Sequence, residues 1–165
     1  MAATLSIMAR LFYASRHYRK NGDIIHPGHY GRMIGISRHS HYHFSREQVL
    51  ERIRTRRHPQ KPSRLRCVFT CPTEADIRQY VEEQMARHPS RVREPLYEVE
   101  TTERNPLMHH GDWNLAEMVM RGGPGAEITA DLYWQGIPGP DQPRGPGTYM
   151  EVITPSPLIV VRQLG

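Results

Sequence analysis

Short apolar runs alternate along the chain with polar stretches rich in Gly and Pro. Leu5–Ser15 (LSIMARLFYAS) predicts a strand, with Phe12 and Tyr13 near its end. Asn21-Gly22-Asp23 is a turn signal, followed by the apolar pair Ile24-Ile25. His26–Gly31 holds two Gly and one Pro and predicts a loop without a regular element. Residues 38–43 are polar and irregular. Ser45 is the expected N-cap of a helix, with Gln48 as its capping-box partner. Val49, Leu50 and Ile53 follow at helical spacing, Arg46, Arg52, Arg54 and Arg56 occupy the other faces, and His58-Pro59 stops the helix.

Leu65–Cys71 has the composition of a strand. Thr73 is the expected cap of a second helix, with Glu74 in its first turn. Ala75, Ile77, Tyr80, Val81 and Met85 form its apolar stripe, and Pro89 ends it. Leu96–Glu100 alternates as a strand, 101–113 predicts a loop, and Asn114–Met120 predicts a short helix with Asp112 or Asn114 near its N-cap. Gly122–Gly125 breaks that helix, and the apolar pattern of 126–135 predicts another. Residues 136–147 hold eight Gly or Pro in twelve positions and read as a mobile loop. Tyr149–Ile153 and Leu158–Arg162 predict two strands joined by the turn Thr154–Pro157. The mixture predicts an α+β fold without internal repeats.

The length of 165 residues predicts a single domain over 1–165. With 13 Gly, 14 Pro and 38% hydrophobic residues, a helical bundle is excluded. No run of 18 apolar residues exists, so no transmembrane helix and no membrane partner are expected. The first ten residues lack a signal peptide's apolar stretch, so Sec export is not expected. Cys67 and Cys71 would lie roughly 13 Å apart on one strand, too far to bridge. Both are expected as free thiols, as in a reducing compartment.

Charge divides the chain. Residues 1–66 hold 14 Lys/Arg against 3 Asp/Glu, a balance of +11, whereas 67–165 hold 8 against 14, a balance of −6. The basic part suits an acidic partner, such as nucleic acid or an acidic protein face, or forms a solvated Arg-rich surface offset by the acidic part. Seven cations between Arg52 and Arg66 strengthen the first option, although no nucleic-acid-binding signature accompanies them.

Other chemistries find less support. His39-x-His41-x-His43 lacks the spacing of a structural zinc site, and no HExxH is present, so no metal is expected. Cys71 precedes a helix start, the position that activates a thiol, but no spacing ties it to a base. A nucleophile elbow and a Walker A loop are both absent. Glu151 is the strongest single candidate. A carboxylate at a strand mouth behind a Gly/Pro-rich loop is either an edge-strand charge facing water or suited to holding a ribose hydroxyl and stabilising a developing cation.

The C-terminal EVITPSPLIVV resembles the closing signature of the ADP-ribosyltransferase superfamily, in which a Glu opens a strand, a turn follows and a final strand closes the sheet. LFYASR followed by GDIIHPGHYGR resembles its first block. LERIR, HPQKPSRLRCVFTCPTEADI, DWNLAEMV and YWQG resemble a bacterial domain-of-unknown-function branch of that superfamily. Together the blocks span about residues 10 to 163.

The resemblance implies an ADP-ribosyltransferase-like domain of split antiparallel sheets flanked by short helices. It implies NAD⁺ as substrate, nicotinamide release, and transfer of ADP-ribose to a protein or nucleic-acid acceptor. It places Glu151 as the catalytic residue on the ribose 2′-hydroxyl. Tyr13 stands where the family usually has His or Arg, so that either its hydroxyl or the nearby Arg16 serves, with Ser15 as the small polar partner. Gly28, Tyr30, Gly31 and Arg32 would form the loop over NAD⁺, with Arg32 on the pyrophosphate. Phe69 and Thr70 match the region whose aromatic ring stacks on nicotinamide, and Arg64 would face the pocket. Tyr133 and Trp134 would line the acceptor side or fill the core. Tyr149 replaces the second Glu that accompanies arginine acceptors, which leaves Ser/Thr, Asp/Glu, a nucleobase or water.

The expected role is a bacterial toxin, an effector delivered by a specialised secretion system, or a cytoplasmic modifier. The alternatives are an inactive binding module of the same fold and a basic nucleic-acid-binding protein.

Overall fold

The structure is a computed structural model that describes residues 8–120, 122–136 and 149–165. Strands β1 (Arg10–Ala14), β2 (Ile24–Ile25), β4 (Leu96–Thr101) and β7 (Leu158–Gln163) form a four-stranded sheet in the order β1-β4-β7-β2. Strands β3 (Val68–Thr70), β5 (His109–Asp112) and β6 (Met150–Thr154) form a second sheet in the order β3-β6-β5. Every pairing is antiparallel. Reciprocal backbone bonds between Phe12 and Cys71, at 3.0 and 2.9 Å, join the β1 edge of the first sheet to the end of β3.

Five α-helices are described: α1 (His29–Ser37), α2 (Phe44–Arg57), α3 (Glu74–Arg87), α4 (Trp113–Val119) and α5 (Ala126–Gln135). The fold is α+β with two antiparallel sheets and short flanking helices, as the sequence predicts. No helix among the described residues is long and apolar enough to cross a membrane.

Two apolar layers follow from the period-2 alternation of the strands. Leu11, Ile25, Val68, Tyr97, Val99, Val152, Leu158 and Val160 pack as one cluster of strand residues drawn from both sheets. Phe69 and Ile153 point the other way, into a larger cluster with Leu50 and Ile53 of α2, Ile77 and Val81 of α3, Leu115 and Val119 of α4, and Tyr133 and Trp134 of α5.

Several local expectations change. The helix expected from Ser45 begins at Phe44, because the His43 carbonyl already accepts the Glu47 N–H at 3.0 Å, and no side chain caps it. His26–Gly31 is not all loop: Gly28, at φ +92°, leads directly into α1. Leu65–Cys71 splits into a 3₁₀ turn over Arg64–Arg66, capped by Ser63, and the shorter strand β3. The expected loop 101–113 contains β5, whose His-His-Gly-Asp sequence has no strand composition and is held by its pairing with β6. Thr73 caps α3 by accepting the Asp76 N–H, as expected, and of the two candidates for α4 it is Asp112 that caps, accepting the Asn114 N–H. Residues 1–7 and most of the Gly/Pro-rich stretch, 137–148, lie outside the described residues.

Candidate functional site

Glu151 lies near the start of β6, directly opposite Gly111 of β5, with its side chain toward the helices. The residue is 4% exposed. The Tyr133 hydroxyl donates to its Oε1 at 2.6 Å. Gly111 makes that bond possible: a Cβ there would stand 2.3 Å from the Tyr133 ring. Burial holds the Tyr133 phenol well above its ordinary value, so it remains a donor.

Arg64, on the 3₁₀ turn, donates from Nη1 to the same Glu151 oxygen and to the Tyr133 hydroxyl. Its Nε reaches Glu47 Oε2 at 2.9 Å, and its Nη2 reaches Glu47 Oε1 at 3.2 Å. The guanidinium therefore grips two carboxylates, one on each side. Arg64 and Glu47 are each 1% exposed. Burial alone would lower the Arg64 pKa, but Glu151 and Glu47 outweigh it and hold it well above its ordinary value. Burial likewise opposes the Glu47 charge, yet Arg64 and Arg46 hold the carboxyl below its usual range.

Arg46 extends the series toward solvent. Its Nη2 meets Glu47 at 3.1 Å and its Nη1 meets Glu117 at 3.0 Å, and Glu117 in turn pairs with the half-exposed Arg87 at 3.1 Å. Charge thus alternates from Arg87 through Glu117, Arg46, Glu47 and Arg64 to Glu151. Aromatic faces cover the two buried guanidinium groups: Arg46 lies 5.0 Å from the Trp113 ring centre, and Arg64 lies 4.8 Å from Phe69 and 5.2 Å from Tyr133. Among the described residues, the bonds to Glu151 fall on Oε1 alone.

Tyr30 and Phe69 also reach this place. Their rings meet edge to face at 5.1 Å, and the Tyr30 hydroxyl donates to Glu47 at 3.0 Å. Gly31 lets α1 lie against the 3₁₀ turn, since a Cβ there would come within 1.8 Å of the Leu65 carbonyl oxygen. Gly28 donates its N–H to the Cys67 carbonyl at 3.2 Å. Tyr30, Arg64, Phe69 and Glu151 therefore form one cluster, with Gly28 and Gly31 shaping its wall. Arg32 is exposed on α1. The Thr70 hydroxyl donates to the Val152 carbonyl at 2.7 Å and ties β3 to β6 instead of lining the cluster.

Three expected residues lie elsewhere. Tyr13 packs against the other apolar layer, because it is one position out of phase with Phe12, whose ring joins the helix-side layer. The Ser15 hydroxyl is taken by the His17 carbonyl at 2.7 Å and by Arg19 at 3.2 Å. The Arg16 side chain is 78% exposed, with Glu94 at 3.7 Å. Trp134 is core: its ring is fully buried and its N–H donates to the Leu50 carbonyl at 2.8 Å.

Cys67 and Cys71 are free thiols, and burial pushes Cys67 up to about 12 and Cys71 well above its ordinary value, which opposes a nucleophilic role. No metal-binding group occurs among the described residues. Much of the basic stretch is paired: Arg52 with Glu127, Arg54 with Glu51, Arg57 with Asp131 and Arg64 with its two carboxylates.

Glu47 and Gly111 also belong to the site. In the sequence Glu47 is an acid in the first turn of an Arg-rich helix, and Gly111 is one residue of a predicted loop. The signal that could have found Glu47 is the scarcity of acids in residues 1–66: a lone carboxylate beside Arg46 invites burial as a pair.

Residues 11–144 match the family model described as "Protein of unknown function (DUF2441)". No curated protein matches the chain.

Proposed function

The chain belongs to the DUF2441 family, and we propose that it is an NAD⁺-dependent mono-ADP-ribosyltransferase with Glu151 as the catalytic residue. One observation supports this reading above the others. A carboxylate near the opening of β6 is fixed through Oε1 by a guanidinium and a phenol, and that guanidinium packs on the ring of Phe69. Such a carboxylate is preorganised: its orientation is set before substrate arrives.

In the proposed reaction, the bond between ribose C1′ and the nicotinamide nitrogen breaks. Nicotinamide leaves with the bonding electron pair, and the acceptor's lone pair forms the new bond to C1′ while the acceptor loses a proton. Glu151 accepts a hydrogen bond from the ribose 2′-hydroxyl through Oε2 and stabilises the oxocarbenium-like charge. Phe69, one face of which packs on Arg64, would turn its remaining surface to the nicotinamide. Tyr149 lies two residues before Glu151, so the acceptors that fit are a hydroxyl, a carboxylate, a nucleobase or water.

A second reading has its own observation. Glu151 is buried and its inner oxygen is already paired with Arg64, as suits an inactive module that binds without turnover. Nicotinamide release and NAD⁺-induced thermal stabilisation, measured on wild type and Glu151→Gln, separate the two. Release that is lost in Glu151→Gln supports the enzyme. Stabilisation without release supports the binding module, because a ligand that binds only the folded state raises its stability. Neither effect would reject both readings.

A further inference from the structure

We propose that Glu47 is a positioning residue for Glu151, acting through the Arg64 guanidinium. This inference rests on the reading of Glu151 as the catalytic carboxylate.

The geometry is specific. A guanidinium is planar, so fixing one edge fixes the direction of its remaining nitrogen. Glu47 holds the Nε–Nη2 edge of Arg64 through contacts at 2.9 and 3.2 Å. Nη1 is thereby aimed at Glu151 Oε1 and at the Tyr133 hydroxyl, 2.7 Å away. Glu47 is itself held from the other side by Arg46 at 3.1 Å and by Tyr30 at 3.0 Å. None of these groups is free to turn, and Glu47 and Arg64 are buried on separate elements, α2 and the 3₁₀ turn. The result is that Glu151 is gripped on Oε1, and its Oε2 receives no bond from the described residues. Without Glu47, the Arg64 edge loses its partner and Nη1 loses its aim.

A merely structural ion pair would give the same contacts, so the test must separate the two roles. Nicotinamide release is measured on wild type, Glu47→Gln, Glu47→Asp and Glu51→Gln, each well below its own melting temperature. Glu51 lies one turn further along α2 and bonds Arg54 and Ser63, next to the same 3₁₀ turn. It serves as the control for general damage there.

The expected result for Glu47→Gln is a fall in kcat of about 100-fold, the scale of a small misplacement of reacting groups, with KM changed by less than about twofold. Glu47→Asp, which retains a carboxylate, recovers part of that loss and remains informative should Glu47→Gln not fold. Glu51→Gln keeps wild-type kcat.

Glu47→Gln and Glu47→Asp with wild-type kcat would overturn the positioning role and leave the reading of Glu151 standing. Equal losses in the Glu47 and Glu51 variants would overturn it in favour of a structural role. A wild type that releases no nicotinamide would overturn the parent reading and this inference together.

Discussion

The two faces of strand β6 differ in kind. Val152 points into an apolar layer shared by strands of both sheets, where Leu11, Val99, Leu158 and Val160 surround it and no charged side chain joins the cluster. Glu151 points toward the helices, into a set of paired charges roofed by aromatic rings. The backbone is the same; what differs is what the opposing layer supplies. Sheet packing gives the first face no charged partner. The helix layer contributes Arg46 and Glu47 from α2 and Tyr133 from α5, and so makes a carboxylate tenable where a hydrophobe would otherwise be expected.

The largest expected effect is on the charged face. Arg64→Leu would strand Glu47 and Glu151 without their shared partner. The expected loss is about 3–5 kcal/mol of unfolding free energy, the scale of breaking a buried pair from one side. Denaturant titration would measure it, and a loss near zero would mean that the pairs do not hold this face together.

Acid should also act on the helix side. His109 is 1% exposed, touches Tyr133 and Trp134, and bonds the Tyr133 carbonyl at 2.9 Å. Burial first, and then the nearby Lys61, lower its pKa to about 4. The unfolded chain therefore takes up this proton first, near pH 6.5. The stabilising contribution is fully present above that pH and is lost as pH falls toward 4. Between pH 7 and pH 4, the stability of wild type relative to His109→Gln should fall by about 3 kcal/mol. Paired denaturation curves at the two pH values would show it, and parallel curves would exclude His109 as a source of acid sensitivity.

Gly111→Ala should cost about 1–3 kcal/mol, as overpacking does. The new methyl would push the Tyr133 ring away from Glu151, from a starting distance of 2.3 Å. Thermal unfolding with near-ultraviolet circular dichroism would detect both changes, and an unchanged aromatic spectrum would contradict the packing described. The smallest effect belongs to the other face: Tyr13→Phe keeps the ring in its apolar layer and should cost less than about 1 kcal/mol in the same melt.

How much of this was legible in the sequence varies with the range of the interactions. The Thr73 cap, the α5 stripe and the two C-terminal strands follow from local chemistry and period, and the sequence pattern predicts them; that β6 pairs with β3 and β5 while β7 joins the other sheet does not follow from it. For Glu151 the sequence marks a carboxylate near the mouth of a C-terminal strand, and the structure puts it there, but not its burial against Arg64 and Tyr133. β5 was not legible, since His109–Asp112 becomes a strand only through β6. The resemblance places Tyr13 at the site by its position in the first block, but the strand's period turns Tyr13 to the all-strand layer and Phe12 to the helix side. Glu47 belongs to the site through Arg64, seventeen residues away, and no local pattern encodes that meeting.

The most direct measurement is nicotinamide release by wild type, Glu151→Gln and Tyr13→Phe in parallel, since these variants address opposite faces. The predicted result is release by wild type, a loss of about 100-fold or more in Glu151→Gln, and a rate within about twofold of wild type in Tyr13→Phe. Release that survives in Glu151→Gln, or that vanishes in Tyr13→Phe while the protein stays folded, would contradict the assignment of the chemistry to the helix-side face of β6.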